Sequence, residues 1–187
     1  IFGMEAGLFC PSGTMTNQIA IRVHTKLGDQ VVCNKLSHIY NYEGGGIASN
    51  SGASVKLLEG DSGKLSLNQI KSSVNPDDPH YPRTKLVSLE NTVNKGGGVC
   101  YSMESIFDIS HFCRNNNLAF HLDGARIFNA LVKTNQDPLN YGKSFDSISV
   151  CLSKGLGAPI GSILLGSQDF IYEAKRVRKS LGGGMRQ

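Results

Sequence analysis

Phe145-Asp146-Ser147-Ile148-Ser149-Val150-Cys151-Leu152-Ser153-Lys154-Gly155-Leu156-Gly157 is the stretch whose reading decides the fold. Ile148, Val150 and Leu152 alternate with Ser147, Ser149 and Cys151, which is the period of a buried or half-buried strand, and the glycines behind them stop it. One lysine, Lys154, stands where that strand ends. In a parallel sheet the carboxyl ends of the strands open into a crevice that binds ligands. Lys154 is therefore either a functional amine or a solvated residue that closes a strand, and its partners elsewhere decide between the two.

Upstream, Gln30 to Cys33, Val55 to Leu58, Lys85 to Glu90 and Ala119 to Asp123 each predict a strand. Glu5 to Cys10 is a short apolar segment that runs into the turn Pro11-Ser12-Gly13-Thr14. Helical spacing recurs at Met15, Ile19 and Val23, over Ser66 to Ser73, in the apolar face Met103, Ile106, Ile109, Phe112 and Cys113 behind Ser102, and at Ile127, Ala130 and Leu131. Pro76, Pro79 and Pro82 make one loop, and the segment through Pro138 and Gly142 reads as another. His38 falls in a strand-to-helix loop ahead of a flexible Gly44-Gly45-Gly46. Gly161 to Gly166 follows the opening strand too closely for a helical crossover, so that pair is antiparallel. Phe170 to Leu181 is a basic helix. Alternating strands and helices with short connections predict an α/β fold: a mainly parallel mixed sheet with helices on both faces and one antiparallel strand.

A chain of 187 residues, 40% hydrophobic, builds one sizeable core. Its longest apolar runs, such as Ile160 to Leu165, fall far short of the roughly 20 residues of a membrane helix, so no membrane partner is expected. Five cysteines without CxxC spacing lie mostly within apolar runs, which suits reduced thiols in a cytoplasmic protein without disulfides or zinc. The net charge of +4 resides in the tail, where Lys175, Arg176, Arg178, Lys179 and Arg186 face Glu173 alone. That tail lacks interleaved aromatics and any nucleic-acid motif, so a solvated helix face is expected and no nucleic-acid partner. The start at Ile1 and the stop at Gln187, directly after a helix, read as a fragment cut at both ends.

Three features are candidates to accompany Lys154. Ser12-Gly13-Thr14 offers backbone N–H groups and a hydroxyl at a helix N-terminus, as a phosphate cup or as an ordinary cap. Asp123 and Arg126 lie together at another strand end, as an ion pair or as a carboxylate for a protonated heterocyclic nitrogen and a guanidinium for an anionic oxygen. His38 is a structural or a functional imidazole. Together with a strand-end lysine they are the parts that hold pyridoxal phosphate.

The sequence also resembles the threonine aldolases of the β-eliminating lyase family, pyridoxal-phosphate enzymes of the aspartate aminotransferase fold. The likeness runs nearly end to end, through PSGTMTNQ, SHIYNYEGGG, RTKLVSLENT, HLDGARIFNA, SVCLSKGLGAPIGS and GGGMRQ. It implies that residues 1–187 are the cofactor-binding large domain without its N-terminal arm and small C-terminal domain. It further implies that Lys154 forms the internal aldimine, Gly13 and Thr14 bind the phosphate, Asp123 pairs with the pyridine nitrogen and His38 stacks on the ring. Arg126 would contact the cofactor oxygen and the substrate carboxylate, and Arg186 the phosphate site of a neighbouring subunit in a homo-oligomer. The implied reaction is retro-aldol cleavage of L-threonine or L-allo-threonine to glycine and acetaldehyde. The alternatives are another pyridoxal-phosphate β-elimination or transamination, and a non-catalytic anion-binding module. Many relatives carry histidine where this chain has Val93, which leaves His38, water or the cofactor phosphate as the base, or valine as a residue that tunes which β-substituent fits.

Overall fold

A computed structural model describes residues 1–185. The strands are β1 (Ala6–Cys10), β2 (Gln30–Asn34), β3 (Ser54–Leu58), β4 (Thr84–Glu90), β5 (Ala119–Gly124), β6 (Ser147–Cys151) and β7 (Ser162–Gly166), in a single sheet of order β1-β7-β6-β5-β4-β2-β3. β7 runs antiparallel to both neighbours, β1 and β6. The remaining pairings are parallel. Six strands therefore share one direction, and the carboxyl ends of β1, β2, β4, β5 and β6 open on the same side.

The helices are α1 (Gly13–His24), α2 (His38–Asn41), α3 (Gly46–Ser51), α4 (Leu67–Ser73), α5 (Met103–Asn115), α6 (Ile127–Thr134), α7 (Pro138–Ser144) and α8 (Gln168–Ser180). Their starts follow capping chemistry: the hydroxyls of Ser12, Ser102 and Ser167 each accept from a first-turn backbone N–H, and Ser66 forms a capping box with Gln69. One expected loop is helical. Asp137 caps α7 by accepting from the Leu139 N–H, and Pro138 at the first helical position has no hydrogen bond to lose there. Likewise His38 opens the one-turn helix α2, and the three glycines are an ordered entry to α3, with Gly44 and Gly45 at positive φ.

Side-chain alternation sorts the core into two layers. Val32, Val87, Leu89, Phe120, Leu122, Ile148 and Val150 pack under α5, α6 and α7. On the other face Leu8, Cys10 and Leu164 pack with α1 and α8, and Val31, Cys33 and Leu86 pack with α1, α2 and α3. The five residues of β6 are all buried, so its alternation does not mark a solvent face. Instead Ser147 and Ser149 meet the polar side of α1, where Thr16, Asn17 and Gln18 are also buried. The basic tail is partly tied down, with Arg178 donating to the Phe9 carbonyl and Arg176 lying over Tyr172. Among the described residues no helix is long and apolar enough to cross a membrane.

Candidate active site

A cavity of about 300 Å³ lies at the carboxyl ends of the parallel strands. Ser12, Gly13 and Thr14 enter it from the start of α1, His38 from α2, Glu90 from β4, Asp123 from β5, Arg126 from the entry to α6, and Lys154 from the turn beyond β6. The fold thus gathers Gly13, Thr14, His38, Asp123, Arg126 and Lys154 around one space. Arg186 lies outside the described residues. A larger cavity of about 780 Å³ opens at the opposite strand ends, beside Glu5, His24, Asp146, Asp169 and Glu173. Among the described residues its lining has no lysine or arginine, whereas the smaller cavity has Lys154 and Arg126 and is the one suited to an anion.

Each side chain is held by a local cause. The α1 start comes close to β6: a Cβ on Gly13 would stand 2.7 Å from Cys151 Sγ, so only glycine lets the helix end sit there. Lys154 is exposed in a turn that Gly157 permits with a φ of 73°. Arg126 and Asp123 do not form an ion pair among the described residues. Asp123 Oδ1 accepts from the Ala125 N–H at 3.1 Å and Oδ2 from Asn17 Nδ2 at 3.0 Å, which leaves the Arg126 guanidinium for another anion.

Electrostatically the floor of the cavity is short of a cation. Burial first, then the neighbouring Glu90 and Glu43 carboxylates, push Asp123 up to about 6. A protonated heterocyclic nitrogen beside it would relieve that unfavourable charge. His38 is held twice, by its backbone N–H to Glu90 Oε2 at 2.9 Å and by Nδ1 to Glu43 Oε1 at 3.0 Å. The Glu43 hydrogen bond is the main reason that its pKa is raised above the usual 6.5. Ligand atoms of His38, Glu43 and Asp123 lie within 4.8 Å of one another, but they are already engaged in hydrogen bonds that include Asn17. Together they form one hydrogen-bonded network.

Sequence reasoning missed Asn17, Glu43 and Glu90. Glu90 carried a usable signal, since like Asp123 it is an acid closing an apolar strand, and the register pairs the two directly. Asn17 and Glu43 carried only the oddity of polar residues in segments that become buried. Val93 is 1% exposed, packs in the larger core and bridges to Val99. It does not line the cavity, which Asn94 does.

The beta-eliminating lyase family model matches residues 1–187. The chain belongs to the beta-eliminating lyase family. Among its relatives in that family, a low specificity L-threonine aldolase of Saccharomyces cerevisiae is 46% identical over 189 residues, covering 99% of this chain and 48% of the relative. One from Escherichia coli K12 is 41% identical over 186 residues, covering 99% and 55%. A threonine aldolase structure from Leishmania major superposes with a TM-score of 0.88 at 28% identity, covering 96% of this chain and 53% of that one. The chain spans about half the length of these relatives.

Proposed function

We propose that the full-length protein is a pyridoxal 5′-phosphate-dependent aldehyde-lyase that cleaves L-threonine or L-allo-threonine between Cα and Cβ, giving glycine and acetaldehyde. The observation that carries the reading is the convergence of an exposed lysine, a helix N-terminus, a cation-poor buried aspartate, an imidazole and an unpaired-to-Asp123 arginine on one cavity. That donor set fits the cofactor group by group. Lys154 Nζ would hold it covalently, the α1 end with Gly13 and Thr14 would receive its phosphate, Asp123 would pair with its pyridine nitrogen, and His38 would cover its ring.

When bound, pyridoxal phosphate supplies an electron sink conjugated to the substrate Cα. Arg126 binds the substrate carboxylate and fixes the orientation of the Cα–Cβ bond. Because Glu43 occupies His38 Nδ1, Nε2 is the atom that takes the β-hydroxyl proton as the aldehyde departs. Asp123, kept ionised, stabilises positive charge on the ring nitrogen. A proton returned to Cα completes glycine. The same reading includes a homo-oligomer in which Arg186 of one subunit serves the phosphate site of another. A cytoplasmic setting fits the free cysteines.

The test is to incubate the full-length protein with each threonine stereoisomer and identify the products. Glycine with acetaldehyde is expected, whereas 2-oxobutyrate with ammonia would make the enzyme an eliminating lyase instead. Lys154→Ala should lose both the absorbance of lysine-bound cofactor and turnover.

A further inference from the structure

Behind Asp123, between α1 and the sheet, lies a line of polar side chains, buried except for the half-buried His24 at its far end, with no part in the mechanism above. Asn17 Nδ2 donates to Glu43 Oε1 at 2.8 Å and to Asp123 Oδ2 at 3.0 Å. Asn17 Oδ1 lies 3.1 Å from His121 Nε2. His121 Nδ1 lies 2.8 Å from Ser147 Oγ, which lies 2.8 Å from His24 Nε2. His121 and Ser147 face one another across β5 and β6 in register and are fully buried. Phe170 stacks on His24 with ring centroids 4.7 Å apart.

The direction of every proton in this line follows from its two ends. Carboxylates only accept, so both N–H groups of the Asn17 amide are spent on Glu43 and Asp123, and its carbonyl oxygen must receive. His121 therefore donates from Nε2. Burial holds His121 down to about 3 and His24 down to about 4, so both rings are neutral and each has a single N–H. With its proton on Nε2, His121 can only accept at Nδ1. The Ser147 hydroxyl supplies that bond, and Ser147 Oγ then receives from His24 Nε2. All donors point one way, from His24 to Asp123.

We propose that His121, oriented by Ser147 and His24, is a positioning residue that locks the Asn17 amide with both N–H groups toward Glu43 and Asp123. The lock keeps Asp123 an ionised, correctly turned acceptor for the cofactor's ring nitrogen. This role rests on the pyridoxal-phosphate reading given above. Without the His121 donor the buried Asn17 carbonyl oxygen loses its hydrogen bond, and an amide anchored at its N–H side alone positions Asp123 less firmly as an acceptor for the cofactor's ring nitrogen.

Two measurements on the full-length protein test it. Imidazole ¹⁵N shifts at neutral pH should find His121 and His24 as neutral Nε2–H tautomers, with or without cofactor; a charged ring or an Nδ1–H tautomer at His121 overturns the proposal. The dissociation constant for pyridoxal phosphate should rise roughly 10-fold in His121→Leu. It should largely recover in His121→Gln, which restores an N–H donor, and rise by a smaller factor in Ser147→Ala, which leaves His121 in place if the leucine variant does not fold. Wild-type affinity in His121→Leu, or equal loss in the leucine and glutamine variants, refutes positioning while leaving the cofactor reading intact. Wild-type protein that takes up no pyridoxal phosphate overturns both.

Discussion

Glu43 accepts from His38 Nδ1 at 3.0 Å, and the acid is fully buried while the imidazole is 32% exposed. This pairing raises the His38 pKa, chiefly through that hydrogen bond, and directs its basicity to Nε2. A general base works unprotonated, so turnover should rise as pH climbs through the His38 pKa. Glu43→Gln keeps the shape and removes the charge. The acid limb of the kcat/KM profile should then move to lower pH, because the raising influence is gone; a limb that stays put would assign the proton transfer to another group.

Arg126 is free of Asp123, whose oxygens go to Ala125 and Asn17. A planar fork binding a carboxylate is not reproduced by a lysine. Arg126→Lys should therefore raise the KM for threonine about 10–100-fold, the value of one or two lost charge-assisted hydrogen bonds. Steady-state kinetics would read this directly. An unchanged KM would move the substrate carboxylate to a different partner.

Much of this was legible in the sequence because strand ends are marked by chemistry. Asp123 and Lys154 each follow an apolar run and precede glycine, and a parallel sheet brings such ends together whatever their distance along the chain. The segment 138–144 was not legible as a helix, because Pro138 and Gly142 suggest a loop until Asp137 is recognised as the cap. The serines of β6 left a buried and a half-buried strand equally open, and the strand is buried. Alternation normally distinguishes a core face from a wet face, but here the polar face is dry, since α1 meets it with Thr16 and Asn17 rather than with apolar residues. Asn17 and Glu43 escaped for the same reason. Their importance lies in pairing with residues far along the chain, Asp123 and His38 among them, and no local period records it.

The approach of α1 to β6 can be tested through stability. A Cβ on Gly13 would lie 2.7 Å from Cys151 Sγ, so Gly13→Ala should cost about 1–3 kcal/mol as an overpacked contact. Removing the sulfur in the double variant Gly13→Ala/Cys151→Ala should return much of that loss. Chemical denaturation of the single and double variants measures the coupling. Simple additivity would show that the helix end moves away from the sheet without cost.

Asp123 links the site to folding in the cofactor-free protein. Its pKa of about 6 in the folded state exceeds the ordinary 3.8, so between those values the folded chain holds a proton that the unfolded chain has lost. Stability from this group is therefore greatest when the acid is protonated, falls as pH rises across that window, and is level above it. Asp123→Asn removes the titration. Measured by denaturant unfolding across pH ~4 to ~7, the cofactor-free wild type should lose stability relative to this variant as pH rises, whatever the offset between them. Bound pyridoxal phosphate should shrink that slope, since a pyridinium beside the carboxylate favours its ionised form in the folded state. Parallel wild-type and variant curves without cofactor would mean that Asp123 is already ionised at no cost, and that its buried neighbours do not prepare it for a cation.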